Sequence, residues 1–101
     1  MKVTIYQKNL IYTALAIIDK APIGDLRSLI KIMDIVELSD KEKKEYNTIA
    51  NEIVELPLEK SQIQLIHRYM YMPYIEYPKD KRVLDLFDEL DSYVNKSSNP
   101  E

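Results

Sequence analysis

Residues 79–94 read KDKRVLDLFDELDSYV, and their spacing decides the fold class. Val83, Leu86, Phe87, Leu90, Tyr93 and Val94 recur at three- and four-residue intervals and so share one face of an α-helix, while Asp85, Asp88, Glu89 and Asp91 fall toward water. The rest of the chain supports helices for a second reason. Gly24 is the one glycine in 101 residues, and tight hairpins, phosphate-cradling loops and left-handed helix caps all lean on glycine. With 46% apolar and 31% charged residues the composition is globular, and the length suits a single core. The expected class is all-α, a compact bundle of four to five short helices in residues 1–95, followed by a flexible polar tail over 96–101.

Outward from that helix, prolines at 22, 57, 73, 78 and 100 mark boundaries, because the ring lacks a donor and restricts the residue before it. Thr4 and Gln7 have the spacing of a capping box, and the helix they open carries Tyr6, Leu10, Thr13, Ala14 and Ile17 on one face and stops near Lys20. A second helix starts around Asp25 and presents Leu26, Leu29, Ile30, Met33 and Val36. Ile32 and Ile35 widen its stripe beyond one face, which points to burial on two sides, either centrally in the domain or against another copy of the chain in a homodimer joined through those two residues. Ser39 and Glu42 form another capping box, opening a helix toward Ile53; the stretch EIVELPL at 52–58 reads equally as its end or as a short strand. A fourth helix gathers Leu58, Leu65, Ile66, Tyr69 and Met70 and breaks before Pro73. Residues 5–36 and 58–94 thus read as two helical hairpins packed together.

Several chemistries are disfavoured at this level. The chain has no cysteine, which removes disulfides, zinc fingers and thiol catalysis, and fits a cytoplasmic protein. No run of about 18 apolar residues predicts a membrane span, so no membrane partner is expected. His67 is the only histidine, and the groups within one helical turn of it, Gln64, Arg68 and Tyr71, make no recognisable dyad. The expectation is a non-enzymatic protein without a cofactor. Asp85, Asp88 and Glu89 share a helix face but lack the spacing and glycine of an EF-hand loop, so they read as a solvated face rather than a metal site.

Residues 4–56 also fit a helix-turn-helix-like unit with 39–54 as recognition helix, which makes a DNA-binding regulator the alternative function. Charge weighs against nucleic acid. Lys41, Lys43 and Lys44 are offset by Asp40, Glu42, Glu45, Glu52 and Glu55, and the net charge is −3. Lys79, Lys81 and Arg82, offset by Asp80, make only a small basic footprint beside the tyrosines.

The strongest functional signal is HRYMYMPYIEYP at 67–78, which holds four of the eight tyrosines and two of the four methionines. Both residue types are enriched where one protein grips another. Tyr69 and Met70 fall on the apolar face of the fourth helix and read as core. Between Pro73 and Pro78 the chain is extended, so Tyr74 and Glu76 point opposite to Ile75 and Tyr77. Arg68, Tyr71, Met72, Tyr74, Tyr77, Lys79 and Arg82 are therefore the expected contacts of a protein partner.

The opening KVTIYQKNLIYTALAIID, followed by the PIGDL connection and another amphipathic helix, resembles small uncharacterised helical proteins encoded by tailed phages. The likeness covers the first forty residues. It implies a role in binding and modifying a host protein, as an inhibitor or modulator, and transfers no site residues.

Overall fold

A computed structural model describes residues 1–98, with side chains described as far as Val94. Among the described residues, six helices surround one core, and two short strands close one side of it. The strands are β1, Lys2–Thr4, and β2, Ile53–Glu55; the helices are α1, Ile5–Ile17; α2, Ile23–Val36; α3, Asp40–Lys44; α4, Tyr46–Ile49; α5, Lys60–Met70; and α6, Lys81–Ser98. The fold is mostly helical, as the residue spacing implies, with a small antiparallel ribbon added.

The ribbon resolves residues 52–58. Lys2 faces Glu55, Val3 faces Val54 and Thr4 faces Ile53 in antiparallel register. The β-branched Ile53 and Val54 suit a pleated surface better than a helix end, and Val3 is buried beneath the pairing. The pairing joins segments some fifty residues apart, so neither strand carries a hairpin signature.

The Thr4 capping box forms as its spacing demands: the Gln7 N–H donates to Thr4 Oγ1 at 3.0 Å and the Thr4 N–H donates to Gln7 Oε1 at 2.8 Å. Gln7 Nε2 also donates to the Arg82 carbonyl at 2.9 Å, so one buried side chain caps α1 and anchors the start of α6. The inward face of α1 is rotated from the expected one. Ile11, Ala14 and Leu15 are buried, while Thr13 and Ile17 face solvent and Thr13 returns its hydroxyl to the Asn9 and Leu10 carbonyls. Apolar residues nearly encircle this helix, so periodicity alone leaves its rotation undetermined.

In α2, Ile32 is fully buried and Ile35 packs partly against the core, whereas Ile30 is 61% exposed. Of the two readings of that wide stripe, central burial is the one observed for Ile32, and self-association through it is corrected accordingly. The stripe is wide because α2 packs on both α1 and α5, and Ile32 belongs to the interior of one chain. Asp25 lies in the first turn of α2 rather than at its cap, which is Pro22.

The helix expected from Ser39 toward Ile53 breaks at Glu45 into α3 and α4. Its start is sound, since Ser39 and Glu42 form their capping box. Neither α3 nor α4 contains a buried residue, and α3 is held by its capping box and by the Lys8–Glu42 ion pair at 3.0 Å rather than by a docked apolar face. A continuous recognition helix over 39–54 is therefore not present.

α5 opens with a capping box between Glu59 and Gln62, and buries Ile63, Leu65, Ile66, Tyr69 and Met70. It packs along α6, whose Val83, Leu86 and Leu90 complete the core. α6 continues past Val94 to Ser98. Of the tail expected at 96–101, residues 99–101 lie outside the described residues.

A candidate binding groove along the last helix

Between α5 and α6 the chain crosses residues 71–80 as a turn followed by an extended segment, and its alternation follows the sequence expectation. Ile75 is buried and Tyr77 half-buried, while Tyr74 and Glu76 face water. This segment and the adjoining face of α6 enclose an open groove of about 930 Å³. Met72, Ile75, Tyr77, Val83, Leu84 and Phe87 supply much of its apolar lining.

Three rings shape its wall. Tyr71 and Tyr77 both meet Phe87 edge to face, with centroids 4.7 and 5.2 Å away, a favoured geometry for aromatic pairs. The Tyr77 hydroxyl donates to the Met70 carbonyl at 2.6 Å, capping the end of α5, and burial pushes its pKa up to about 12. Tyr71 stands further out, 51% exposed, with its hydroxyl donating to Asp91 at 3.0 and 3.2 Å. Burial of its hydroxyl, then the bond to Asp91, raise the Tyr71 pKa. Leu84 is 66% exposed on the groove, although its neighbours in α6, Val83 and Leu86, are core.

Charges stand toward the two ends. Lys79, Asp80 and Lys81 line the groove near the start of α6, and Asp88 and Asp91 line it seven and ten residues beyond Lys81. Asp91 is not simply solvated, as the α6 periodicity had implied: His67 Nε2 lies 2.9 Å from its Oδ1, and Tyr71 shares the same oxygen. No local spacing reveals the His67–Asp91 pair, because it needs the register of α5 against α6.

The seven expected contact residues divide among three places. Tyr71, Met72, Tyr77 and Lys79 come together in the groove. Arg68 and Tyr74 lie beside Tyr69, whose hydroxyl donates to Asp25 at 2.6 Å. Arg68 reaches the same Asp25 carboxylate at 3.5 Å. Arg82 lies outside the groove and is engaged within the fold: its guanidinium lies 3.6 Å over the Tyr6 ring and bonds Asp80 at 2.7 Å and Asn51 at 3.0 Å. Those bonds from Arg82 hold the Asp80 carboxyl down at about 2.

Leu84, Phe87, Asp88 and Asp91 are among the groove residues that sequence reasoning did not select. Leu84 carried a usable signal, since it lies off the Val83–Leu86–Leu90 face. Among the described residues, no group of three or more His, Cys, Asp or Glu side chains is arranged to hold a metal ion, and no helix is long and apolar enough to cross a membrane.

No protein-family model matches the chain, no curated protein matches it, and no solved structure matches it.

Proposed function

We propose that the chain is a small non-enzymatic protein-binding module, an inhibitor or modulator of a host protein in the manner of small phage proteins, and that it grips its partner through the groove along α6. The observation that carries this reading is Leu84 and Tyr71 held open to solvent over a wall of packed aromatic rings. Exposed apolar surface gathered in a concave site is costly to leave uncovered, and such surfaces mark interaction sites. The polar cluster at its rim suits binding better than nucleophilic catalysis. The Tyr71 hydroxyl donates to Asp91 with its pKa raised, the reverse of what an activated nucleophile needs.

Affinity capture from a lysate of the cells in which the protein acts tests the proposal. Wild type is expected to retain a specific partner, and Leu84→Asp is expected to lose it with thermal unfolding unchanged. Equal capture by both proteins contradicts the proposal.

A further inference from the structure

Resting on the protein-binding reading, we propose that the groove receives an amphipathic helix of the partner, and that an arginine of that helix stacks on Tyr71 beside Asp88 and Asp91. Three independent features of the groove lead there.

Its dimensions come first. Lys81 and Asp91 are ten residues apart on α6, about 15 Å at the helical rise. That length accommodates nearly three turns of a partner helix, about 5.4 Å each. One wall is itself a helix, whose mid-helix backbone groups are bonded internally, and along the extended wall Pro73 and Pro78 lack donors and the Ile75 N–H already bonds the Met72 carbonyl at 3.1 Å, so an extended peptide finds few ladder partners. A helix brings its own backbone bonds and needs only side-chain contacts.

Charge complementarity sets the polarity. Among the described residues Asp88 has no hydrogen-bond or ion-pair partner, and its charge is felt at the Tyr71 hydroxyl. Asp91 accepts from His67 and Tyr71 and keeps Oδ2 only lightly engaged, at 3.2 Å. A cation is the matching group at this end. Lys79 and Lys81 at the other end, where Asp80 is already engaged by Arg82, match a carboxylate, so the bound helix carries an acidic residue and an arginine separated by about two turns.

The fold also contains the filled version of this arrangement. Arg82 lies over the Tyr6 ring at 3.6 Å while the Asp80 carboxylate bonds its guanidinium at 2.7 and 3.0 Å. Tyr71 with Asp88 and Asp91 offers the same ring and carboxylate chemistry, with half of the tyrosine surface open. Arginine suits such a place better than lysine, because its planar guanidinium stacks and bonds at once.

The test is selection of a displayed library of random 14-residue peptides on the full chain. Enriched peptides are then synthesised and measured by fluorescence anisotropy against wild type, Leu84→Asp and Asp88→Asn. Winners are expected to carry apolar residues at helical spacing with an arginine at a constant offset, and to lose about tenfold in affinity to Asp88→Asn. They are also expected to weaken when that arginine becomes lysine. Winners that need Leu84 but lack a basic residue, or that ignore Asp88→Asn, overturn the arginine-bearing helix and leave the groove standing as a protein-binding site. Winners indifferent to Leu84→Asp, or no enrichment at all, overturn the groove as well. A random single-stranded oligonucleotide bound in a Leu84-dependent way overturns both in favour of nucleic acid.

Discussion

Tyr6 and Tyr71 both meet aspartate in this fold, but only Tyr6 has an arginine from the same chain. At Tyr6 the stack with Arg82 is closed by Asp80 and Asn51, and it fastens the start of α6 to α1 and to the segment before β2. At Tyr71 the ring packs against His67 and Phe87, bonds Asp91, and leaves half of its surface to solvent. The first arrangement spends its chemistry on holding the fold. The second keeps comparable chemistry available at the edge of an apolar groove, and that difference separates structural residues from binding residues along a single helix.

The comparison can be broken most forcefully at neighbouring positions of α6. Leu86→Ala removes a fully buried side chain, and a cavity of that kind costs about 2–5 kcal/mol. A fall in melting temperature of roughly 10 °C or more is expected in calorimetry for a domain of this size. Next comes Arg82→Met, which opens the closed site. It is expected to lower the melting temperature measurably, to a smaller extent than Leu86→Ala, without changing partner affinity. Its acid dependence sharpens the point. Asp80 is held at about 2 against an ordinary 3.8, so its contribution to stability is present above the ordinary value and is lost as pH falls through that window. Acid titration of Arg82→Met should lack this step.

Tyr77 lies between the two behaviours, because it lines the groove and also caps α5. Tyr77→Phe removes its bond to the Met70 carbonyl, at an expected cost of about 1 kcal/mol in chemical denaturation. Its pKa of about 12 lies above the ordinary 10.0, so its contribution holds below pH 10.0 and fades as pH rises to about 12. The phenylalanine variant should lose that alkaline step. The smallest effect on stability is expected from Leu84→Ser, within about 0.5 kcal/mol in the same denaturation series. If Leu84→Ser proves as destabilising as Leu86→Ala, the groove face is core and the distinction between the two sites fails.

Local chemistry was legible in the sequence wherever its partners lie within a turn or two. The capping boxes at Thr4 and Ser39 form as spaced, and Ile75 and Tyr77 turn inward opposite Tyr74 and Glu76. Long-range pairing was not legible. The β1–β2 register, the Arg82 stack on Tyr6 and the His67–Asp91 bond each join segments that only the folded topology brings together. Helix rotation failed where apolar residues are dense, so that Ile30 and Ile32 exchanged their expected roles. The tyrosine cluster locates half of the groove; of the α6 residues that line the rest, Val83 and Phe87 fall on the apolar face of the periodicity and Asp88 and Asp91 on its polar face.

The most direct measurement is site-specific photo-crosslinking from position 84, with position 30 as control. Leu84 and Ile30 are both exposed aliphatic residues, 66% and 61%, but only Leu84 lines the groove. With the photoreactive residue at 84, a discrete adduct with the partner is expected in lysate, and none from 30. Absence of an adduct from 84, or equal adducts from both positions, contradicts the groove as the binding surface.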